Sequence, residues 1–372
     1  MLQVALSSAL PRASRIAAGT ILTCSARRTF VSSSRRLNSL TKKKANEESG
    51  SGTEGFHRRD LATETPVDPK DASKPVGGSV VKGDWVLFHP VYTAEELKAV
   101  EIVHSEAKTV SDKIAYGLVK YTRKLFDLVS GYKHPDHVPS NASIEELRKK
   151  GYIMNEHQWL NRILFLEAIA GVPGMVAATV RHLRSLRLMQ RDSGWIHTLL
   201  EEAENERMHL MTFMTLRKPS AIFRALVLGA QGVYYNMFFL GYLISPRLCH
   251  RFVGYLEEEA VITYSTRCIE EIEAGRLPAW EKEVAPEIAK DYWRLKPDAK
   301  LLDVLYVVRS DETTHRFVNH SLANLNLKTD TNPFALREPD MHVKGRKVAF
   351  EREEAAQYVE DSHRMLTERR EQ

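Results

Sequence analysis

Cysteine is scarce in this chain of 372 residues, which contains only Cys24, Cys249 and Cys268. These residues form no C-x-x-C pair, so neither a disulfide scaffold nor a zinc ribbon is supported. The C-x-x-C-H motif that attaches haem covalently is also missing. We therefore expect a protein without a structural disulfide and without haem.

Acidic residues are absent from residues 1–46, which contain nine of the 53 Lys and Arg residues. The net charge of +5 therefore resides in this segment, and the rest of the chain has a net charge of −4. This distribution does not indicate a nucleic-acid partner. A segment rich in Arg, Ser and Ala is typical of a mitochondrial presequence, which we assign to residues 1–40 with cleavage near residue 30. The alternative is a disordered basic tail.

Strand patterns are also lacking, because no segment alternates convincingly between apolar and polar residues. Helix-period patterning begins near Tyr92, where Thr93 is a suitable helix cap, and it dominates the rest of the chain. We therefore predict an all-α fold. The main predicted helices cover Trp159 to about Arg184 with a kink at 171–174, Trp195 to about Leu216, and a last long helix from about Lys300. The predicted organisation is a presequence at 1–40, a flexible N-terminal arm at 41–91, a helical domain at 92–330 and a C-terminal extension at 331–372.

Two segments raise the question of a membrane. Residues 225–245 contain no charged residue, and this length is sufficient for a membrane span. Residues 112–130 have a basic amphipathic pattern, in which Lys113, Lys120 and Arg123 are among the cations that flank the apolar positions. Such a helix either lies in a membrane interface or packs its apolar face on the core, and the second segment by itself favours the core.

Four helical segments carry a lone Glu or a Glu-x-x-His pair. One Glu from each of two helices and one Glu-x-x-His from each of two others can hold two metal ions inside a four-helix bundle. Carboxylate oxygens are hard ligands, and imidazole suits iron. The sequence therefore indicates oxygen chemistry at two iron ions. The residues, in chain order, are Glu167, Glu206 with His209, Glu257, and Glu312 with His315.

The spacing of Glu and His is weak by itself, because the chain contains four Glu-x-x-His pairs. One extra pair, Glu54 and His57, lies in the predicted arm, and the other, Glu101 and His104, is expected on a polar helix face. Solvated surface pairs are therefore the alternative to a metal site. Glu167 favours the metal site, because a lone Glu on an apolar helix is costly unless it is paired, protonated or metal-bound.

The depths of the predicted ligands conflict with one long helix around Glu167. Glu206 lies 11 residues after Trp195, or about 16 Å along its helix. Glu167 lies 25 residues before Asp192, or about 37 Å in a continuous helix. Ligands on antiparallel neighbours must lie at equal depth. We therefore predict that the Glu167 helix stops early or bends between His182 and Arg191. The residues that intervene before the next helix would then form a loop or an overhang.

These motifs in their surroundings resemble the alternative oxidase family. The resemblance covers residues 152–324 and is carried by LFLEAIAGVPGMV, NERMHLM, HRFVGYLEEEAV and RSDETTHR. It implies a ferritin-like di-iron four-helix bundle with additional interfacial membrane-binding helices. It also implies a non-proton-pumping terminal oxidase of the respiratory chain, which oxidises ubiquinol and reduces O2 to water at a di-iron carboxylate centre.

The resemblance assigns roles to individual residues. Tyr264 matches the redox-active tyrosine of the family, although a core tyrosine with a hydrogen-bonded hydroxyl is the alternative. Asn205 and Asp311 match groups that orient the metal ligands. Taken without the family, Arg162 is a surface cation. The implied iron ligands are Glu167, Glu206, His209, Glu257, Glu312 and His315, and the implied quinol pocket consists of Arg162, Leu166, Glu259, Ala260 and Thr263.

The resemblance also implies partners and a location. Ubiquinol and O2 are the implied substrates, and the protein is expected on the matrix face of the mitochondrial inner membrane, bound to one leaflet. A homodimer is implied, with VRHLRSLR around His182 similar to the family's subunit contact. The chain has no cysteine between Cys24 and Cys249, so the regulatory disulfide of plant members is expected to be absent. A quinone-ring hydroxylase and a non-enzymatic iron-storage or membrane protein are the alternatives.

Overall fold

The computed structural model describes residues 67–68, 71–75, 89, 91–132 and 143–371. The predicted presequence and its cleavage site lie outside these residues. Within the predicted arm, β1 (Val67–Asp68) and β2 (Asp71–Pro75) form an antiparallel pair that the sequence analysis did not anticipate. The rest of the described chain confirms the all-α prediction, apart from one isolated bridge between Val284 and Lys300.

Fourteen α-helices follow in the described ranges, and local sequence signals account for several of their ends. Thr93 and Glu96 form a capping box at the start of α1, as predicted from their spacing. Pro246 stands at the first position of α8, where its missing N–H is not needed. The helices are α1 (Ala94–Lys98), α2 (Val110–Ser130), α3 (Ile144–Lys150), α4 (Glu156–Ala170), α5 (Val172–Leu188), α6 (Trp195–Leu216), α7 (Ala221–Ile244), α8 (Pro246–Ile262), α9 (Glu270–Glu273), α10 (Pro278–Lys282), α11 (Glu287–Trp293), α12 (Leu301–Asn324), α13 (Met341–Lys344) and α14 (Arg352–Glu371).

A bundle of four long helices organises the domain. α12 packs along α8, and α6 packs along both α4 and α5. Gly254 permits the close approach of α8 and α12, because a Cβ at this position would come within 2.7 Å of the His320 ring. Glu257 follows Gly254 by one helical turn, so this close packing brings Glu257 towards the middle of the bundle.

The two larger of the three apolar clusters in the described residues lie on either side of a polar layer. One cluster contains Phe213, Trp293 and Val308, and the other contains Leu199 and Phe317. Along α6 the polar residues lie between Leu199 and Phe213, and along α12 they lie between Val308 and Phe317. Both layers of large side chains therefore shield the polar middle of the bundle from water.

The junction between α4 and α5 explains the depth conflict. Gly171 lies against α6, where a Cβ would meet the Ala203 carbonyl at 3.0 Å and the Glu206 Cβ at 3.5 Å. Glu167, one turn earlier, is therefore level with the next turn of α6, where the His209 Nδ1 lies 3.4 Å from its carboxylate. α5 ends at Leu188, inside the predicted interval from His182 to Arg191. The predicted stop is therefore confirmed, and of the two alternatives for the residues between, the overhang is correct.

The overhang begins where α5 passes the first residue of α6. The Arg181 guanidinium stacks on the Trp195 ring at 4.3 Å and binds Asp192. The last seven residues of α5 extend beyond this contact, and their Leu183 and Leu186 side chains are exposed. The loop from 189 to 194 then returns the chain to the start of α6.

One helical segment in the part of the chain that the structure describes has the length and apolar composition of a membrane span. Glu156–Leu188 is long and apolar enough to cross a membrane by length and composition, but it carries Glu167 and packs within the bundle. The charge-free run 225–245 forms most of α7, which does not meet the same criterion. Instead, α7 exposes a row of large apolar side chains along its length.

The C-terminal extension packs on the bundle. Phe334 and Phe350 stack on each other and make edge contacts with Phe317 of α12. Asn324 donates a hydrogen bond to the Phe350 carbonyl at 2.8 Å. These contacts join the extension to the second apolar cluster, although the predicted domain boundaries at 330 and 331 stay a prediction.

Candidate metal centre

Two groups of buried donor atoms meet in the polar layer of the bundle. Within each group, one atom of every residue lies within 4.8 Å of one atom of every other residue. Glu206 and Glu312 belong to both groups, as expected for carboxylates that bridge two ions. The first group is Glu167, Glu206, His209 and Glu312, and the second is Glu206, Glu257, Glu312 and His315.

The structure therefore brings together all six residues that the sequence nominated. α4 and α8 supply one Glu each, and α6 and α12 supply one Glu-x-x-His pair each. This is the ligand pattern of di-iron carboxylate bundles.

Several of the atoms that could bind metal have no hydrogen-bond partner, which shows that this set of residues fits a pair of cations. Both carboxylate oxygens of Glu206, Oε2 of Glu167, and Nδ1 of His209 and of His315 are buried without a hydrogen-bond partner. The His315 Nδ1 lies only 2.7 Å from the Glu206 Oε1. Buried polar atoms without partners are costly, and two cations would satisfy all of them. The mixed oxygen and nitrogen donors suit iron.

The pKa values of the four carboxylates also indicate that the centre needs added positive charge. Burial raises the pKa of Glu167 to about 8 and, with Glu312 and Glu206, raises that of Glu257 well above its ordinary value. Burial also opposes ionisation of Glu206 and Glu312, but their contacts with the two histidines hold both pKa values below the ordinary value. Without added positive charge the four carboxylates do not all ionise, so metal binding is expected to release protons.

Asp311 fixes the orientation of His209. The Asp311 Oδ2 accepts hydrogen bonds from the His209 Nε2 at 3.0 Å, the Asn205 Nδ2 at 2.9 Å and the Trp293 Nε1 at 2.9 Å. The Tyr92 hydroxyl donates to the Asp311 Oδ1 at 2.6 Å. Because the Nε2 is held in this way, the Nδ1 of His209 faces the carboxylates.

These donors also keep Asp311 ionised. Burial opposes its charge, but His89 and the hydrogen bond with His209 hold the pKa of Asp311 well below its ordinary value. An anion behind the imidazole stabilises the orientation in which the ring binds a metal. Asn205 and Asp311 therefore lie where the sequence analysis expected groups that orient ligands.

Tyr264 lies in a π-helical segment that interrupts the end of α8. Residues Thr263–Ile269 form this segment, which continues directly into α9. The Tyr264 hydroxyl donates a hydrogen bond to the Oε1 of Glu167. Such π segments are rare and frequently occur at functional sites. The contact brings the phenol to the metal ligands, but a hydrogen-bonded core tyrosine has the same geometry, so its catalytic role stays a prediction.

Arg162 is not a surface cation, because its side chain is only 2% exposed. Its NH2 binds the Asp127 Oδ1 at 2.5 Å, and its guanidinium stacks on Phe126 at 4.4 Å. Arg123 binds Asp127 at 3.3 Å and Glu259 at 2.8 Å. A chain of ion pairs therefore runs from α4 through α2 to α8.

Of the other residues of the predicted quinol pocket, Leu166 lies on α4, Ala260 on α8, and Thr263 at the start of the π segment. Leu166 and Ala260 are partly exposed, whereas Thr263 is buried. The Thr263 hydroxyl donates to the Glu259 carbonyl at 2.8 Å. These five side chains thus combine apolar surface with a few polar groups, and their role in binding quinol stays a prediction.

Comparison with known proteins identifies the family. The model of the alternative oxidase family matches residues 92–324, a range that contains all six donor residues. The chain belongs to the alternative oxidase family. It is similar to the mitochondrial alternative oxidase of Cryptococcus neoformans var. grubii, with 53% identity over 85% of this chain and 78% of the relative. It is also similar to that of Aspergillus niger, with 57% identity over 70% and 72% of the two chains. A third relative, from Yarrowia lipolytica, is 52% identical over 68% and 69% of the two chains.

One expectation about this alternative oxidase was wrong. The Glu101 and His104 pair does not lie on a helix, since the segment between α1 and α2 is not helical. The His104 Nδ1 instead lies 2.5 Å from the Glu258 Oε2, and the His320 Nε2 lies 2.8 Å from the Glu258 Oε1. The pair therefore has no part in the metal centre, and the Glu-x-x-His pattern by itself did not distinguish it.

Several residues around the centre escaped the sequence analysis. Asp127 and Arg123 are four residues apart on α2, a spacing that indicates an ion pair but not its partners on other helices. Tyr92 and Trp293 bind Asp311 from segments more than 15 residues away along the chain. Local patterns give no signal for such contacts.

Glu202 is a further buried carboxylate, one turn before Glu206 on α6. Asn319 donates a hydrogen bond to it at 2.7 Å. Burial raises the pKa of Glu202 to about 7 from its ordinary value of 4.5. The folded protein therefore binds a proton at Glu202 in a pH range where the unfolded chain does not.

This proton gives a testable pH dependence in the metal-free protein. The stability associated with protonated Glu202 is complete below pH 4.5 and is lost as the pH rises through about 7. At about pH 8, Glu202→Gln is therefore expected to raise the free energy of unfolding by about 3 kcal/mol, and near pH 4 to leave it unchanged. Denaturant unfolding at both pH values measures this difference. Glu283→Gln, which changes an exposed residue, is the control, and an equal effect at both pH values contradicts the prediction.

Proposed function

We propose that this alternative oxidase oxidises ubiquinol and reduces O2 to water at two iron ions, without moving protons across the membrane. The observation that carries the proposal is the pair of overlapping donor groups that share Glu206 and Glu312. Oxidation of two ubiquinols releases four electrons and four protons, which are the quantities that one O2 needs to form two waters. No further reductant or proton source is required.

The donor groups assign each side chain to an ion. Glu167 and His209 would hold one iron, Glu257 and His315 the other, and Glu206 and Glu312 both. When bound, the irons supply the electron transfer and the oxygen activation that these side chains cannot perform. The protein contributes the geometry of the ligands and excludes water from the centre.

Tyr264 is proposed as the catalytic residue. Its hydroxyl contacts Glu167, and burial together with the Glu167 charge raises the pKa of Tyr264 well above its ordinary value. The phenol therefore keeps its proton until it gives up an electron as well. Asn205 and Asp311 are proposed to act through His209, by holding its ring in the metal-binding orientation.

The proposed quinol pocket lies between α2, α4 and α8. Arg162 and Glu259 would provide polar contacts for the quinol head group, and Leu166, Ala260 and Thr263 would line the rest. Such pockets are mostly apolar with a few polar groups that fix orientation. A rise in the KM for ubiquinol, with unchanged bound iron, in Arg162→Lys is the measurement that tests this assignment.

Membrane binding is proposed through the exposed apolar faces of α2 and α7. Both helices leave large side chains in contact with solvent, and α2 adds exposed lysines, a pattern typical of helices that lie in one leaflet. The proposed location is the matrix face of the mitochondrial inner membrane. The exposed residues include Ile114, Leu118, Leu125 and Leu128 of α2 and Ile222, Leu226, Leu228, Val233, Met237 and Leu240 of α7.

Two measurements test this location. Alkaline carbonate is expected to leave the protein in the membrane fraction, because the buried apolar area does not depend on surface charge. Protease added to the intermembrane side is expected to cleave no loop of the protein. Cleavage from that side contradicts binding to one leaflet.

A homodimer is proposed through the overhang of α5 around His182. Its exposed Leu183, Leu186 and Leu188 form an apolar surface flanked by Arg184 and Arg187. Sedimentation in detergent, compared between the wild type and Leu183→Arg, tests this contact. A dimer that is unaffected by the charge places the interface elsewhere.

Oxygen uptake by the purified protein tests the proposed function. With ubiquinol as the electron donor, uptake is expected to continue in cyanide, because no haem takes part. Labelled O2 is expected to yield labelled water and no labelled quinone. Oxygen in the organic product would instead indicate a quinone-ring hydroxylase, and the absence of quinol-dependent uptake would indicate a non-enzymatic protein.

A further inference from the structure

A cavity of about 80 Å³ adjoins the metal centre on the side of His315. A cavity measured in this way holds one water in roughly 10–15 Å³, so several waters fit. Its lining comes from the segment before α1, from α6, α11 and α12, and from the residues before α13. The lining includes Glu201, Glu202, Glu204, Asn205, His315 and Glu338.

Carboxylates extend from the surface to the metal ligands along this cavity. The side chains of Glu201 and Glu204 are 33% and 50% exposed. Glu202 is 7% exposed and lies one helical turn before Glu206, the residue shared by both donor groups. Glu338 adds a fourth carboxylate from the C-terminal extension. Carboxylates therefore line the way from solvent to Glu206, and none of the described lining residues is Lys or Arg, although Arg207 and Lys344 pair with Glu204 and Glu338.

A second observation comes from Asn205, which is buried and lines the cavity. Its Nδ2 is engaged by Asp311 at 2.9 Å and by Tyr292 at 3.1 Å. Its Oδ1 is buried and has no hydrogen-bond partner. An unpartnered amide oxygen beside carboxylates is a donor suited to a hydrated divalent cation.

Basic side chains, rather than carboxylates alone, lie on the α2 and α4 side of the centre. There Arg123 and Arg162 lie between α2 and α4, and Lys120 and Lys124 are on the same face of the molecule as the exposed surface of α2. A dication approaching from that side meets the exposed Lys120 and Lys124, and each arginine is already paired with a carboxylate. The donor residues are themselves buried, and the cavity adjoins them at His315.

We propose that the acidic cavity is the route by which hydrated Fe2+ reaches the metal centre. Glu201 and Glu204 attract the ion, Glu202 and the Asn205 Oδ1 replace part of its water, and Glu206 with His315 receives it. Clefts lined by charge of one sign concentrate ions of the opposite sign and accelerate their binding. The inference rests on the proposed di-iron function and concerns how the irons arrive.

Iron uptake by the metal-free full-length protein tests the route. After chelation, Fe2+ is added without oxygen, and bound iron per chain is measured over time by rapid desalting and metal analysis. The double variant Glu201→Gln, Glu204→Gln is expected to take up iron about five-fold more slowly at low salt. The difference is expected to disappear at about 1 M salt, where screening acts within about 3 Å. The final content is expected to remain two irons per chain.

Two comparisons make the result decisive. Glu281→Gln with Glu283→Gln removes the same charge from exposed positions outside the cavity, and is expected to load at the wild-type rate. Glu202→Gln keeps the shape of the inner carboxylate and is expected to load slowly at low and high salt. Equal rates in the cavity and control variants overturn the route and leave the di-iron proposal intact. A wild-type protein that binds no iron overturns both.

Discussion

Glu206→Ala is expected to abolish ubiquinol-dependent oxygen uptake and to reduce bound iron below two per chain. Glu206 belongs to both donor groups, and both of its oxygens are buried without a hydrogen-bond partner. Its removal therefore deprives both ions of a ligand. Changes in residues that only support a ligand typically reduce metal affinity or activity by 10–100-fold, so loss of a shared ligand should exceed about 100-fold. Oxygen-electrode rates and metal analysis of the same preparation measure the two effects.

The matched control is Glu101→Ala, which removes the Glu of a Glu-x-x-His pair outside the centre. Glu101 is exposed, and its carboxylate pairs with Arg346 on the surface, at 3.4 Å. It is expected to retain full activity and two irons. Circular dichroism of both variants separates loss of the centre from loss of the helical bundle. Full activity in a correctly folded Glu206→Ala protein contradicts the proposed centre.

The six donor residues could be predicted from sequence because each lies at a helical position with a distinctive neighbourhood. Glu167 stands in an apolar helix where an isolated charge is costly, and Glu206 and Glu312 each precede a histidine by one turn. Helix bounds followed from the same signals, since α6 and α12 begin within a residue of their predicted starts. The local sequence pattern was sufficient to predict residues whose metal-binding chemistry coincides with the helical period.

Contacts between distant segments could not be predicted in this way. The end of the Glu167 helix between His182 and Arg191 was predicted, but the packing of Gly171 and Gly174 against α6, which leaves α5 free to overhang, was not. Arg162 has the composition of a surface cation, and only the fold places Asp127 beside it. In both cases a tertiary contact decides where the side chain lies, and the preferences of single residues do not predict such contacts.

The π segment at Thr263–Ile269 was also beyond sequence reasoning. The run TYSTRCI contains β-branched residues and no Gly or Pro, so it gives no local signal for a change in helical pitch. Cys268 and Ile269 of the widened turn pack into the first apolar cluster. It sets the direction from which Tyr264 reaches Glu167, so a feature invisible in the sequence controls the position of the proposed catalytic phenol.

Tyr264→Phe is expected to lower turnover by at least about 100-fold while both irons stay bound. Proton transfer by a positioned side chain contributes roughly 10²–10⁴-fold, and the phenylalanine ring keeps the packing on Phe213. The change removes the hydroxyl that donates to Glu167 but leaves the carboxylate free to bind metal. The KM for ubiquinol should stay close to the wild-type value. Steady-state rates measure turnover, and iron analysis measures metal binding separately.

Tyr255→Phe is the matched control, because it removes a buried tyrosine hydroxyl from the same helix outside the centre. It is expected to be fully active. Samples frozen during turnover should show a phenoxyl radical by electron paramagnetic resonance in the wild type and none in Tyr264→Phe. A purely structural hydrogen bond makes a different prediction: iron content would fall in proportion to activity, and no radical would appear in either protein. That pair of results would remove Tyr264 from the chemistry and leave it as a support for Glu167.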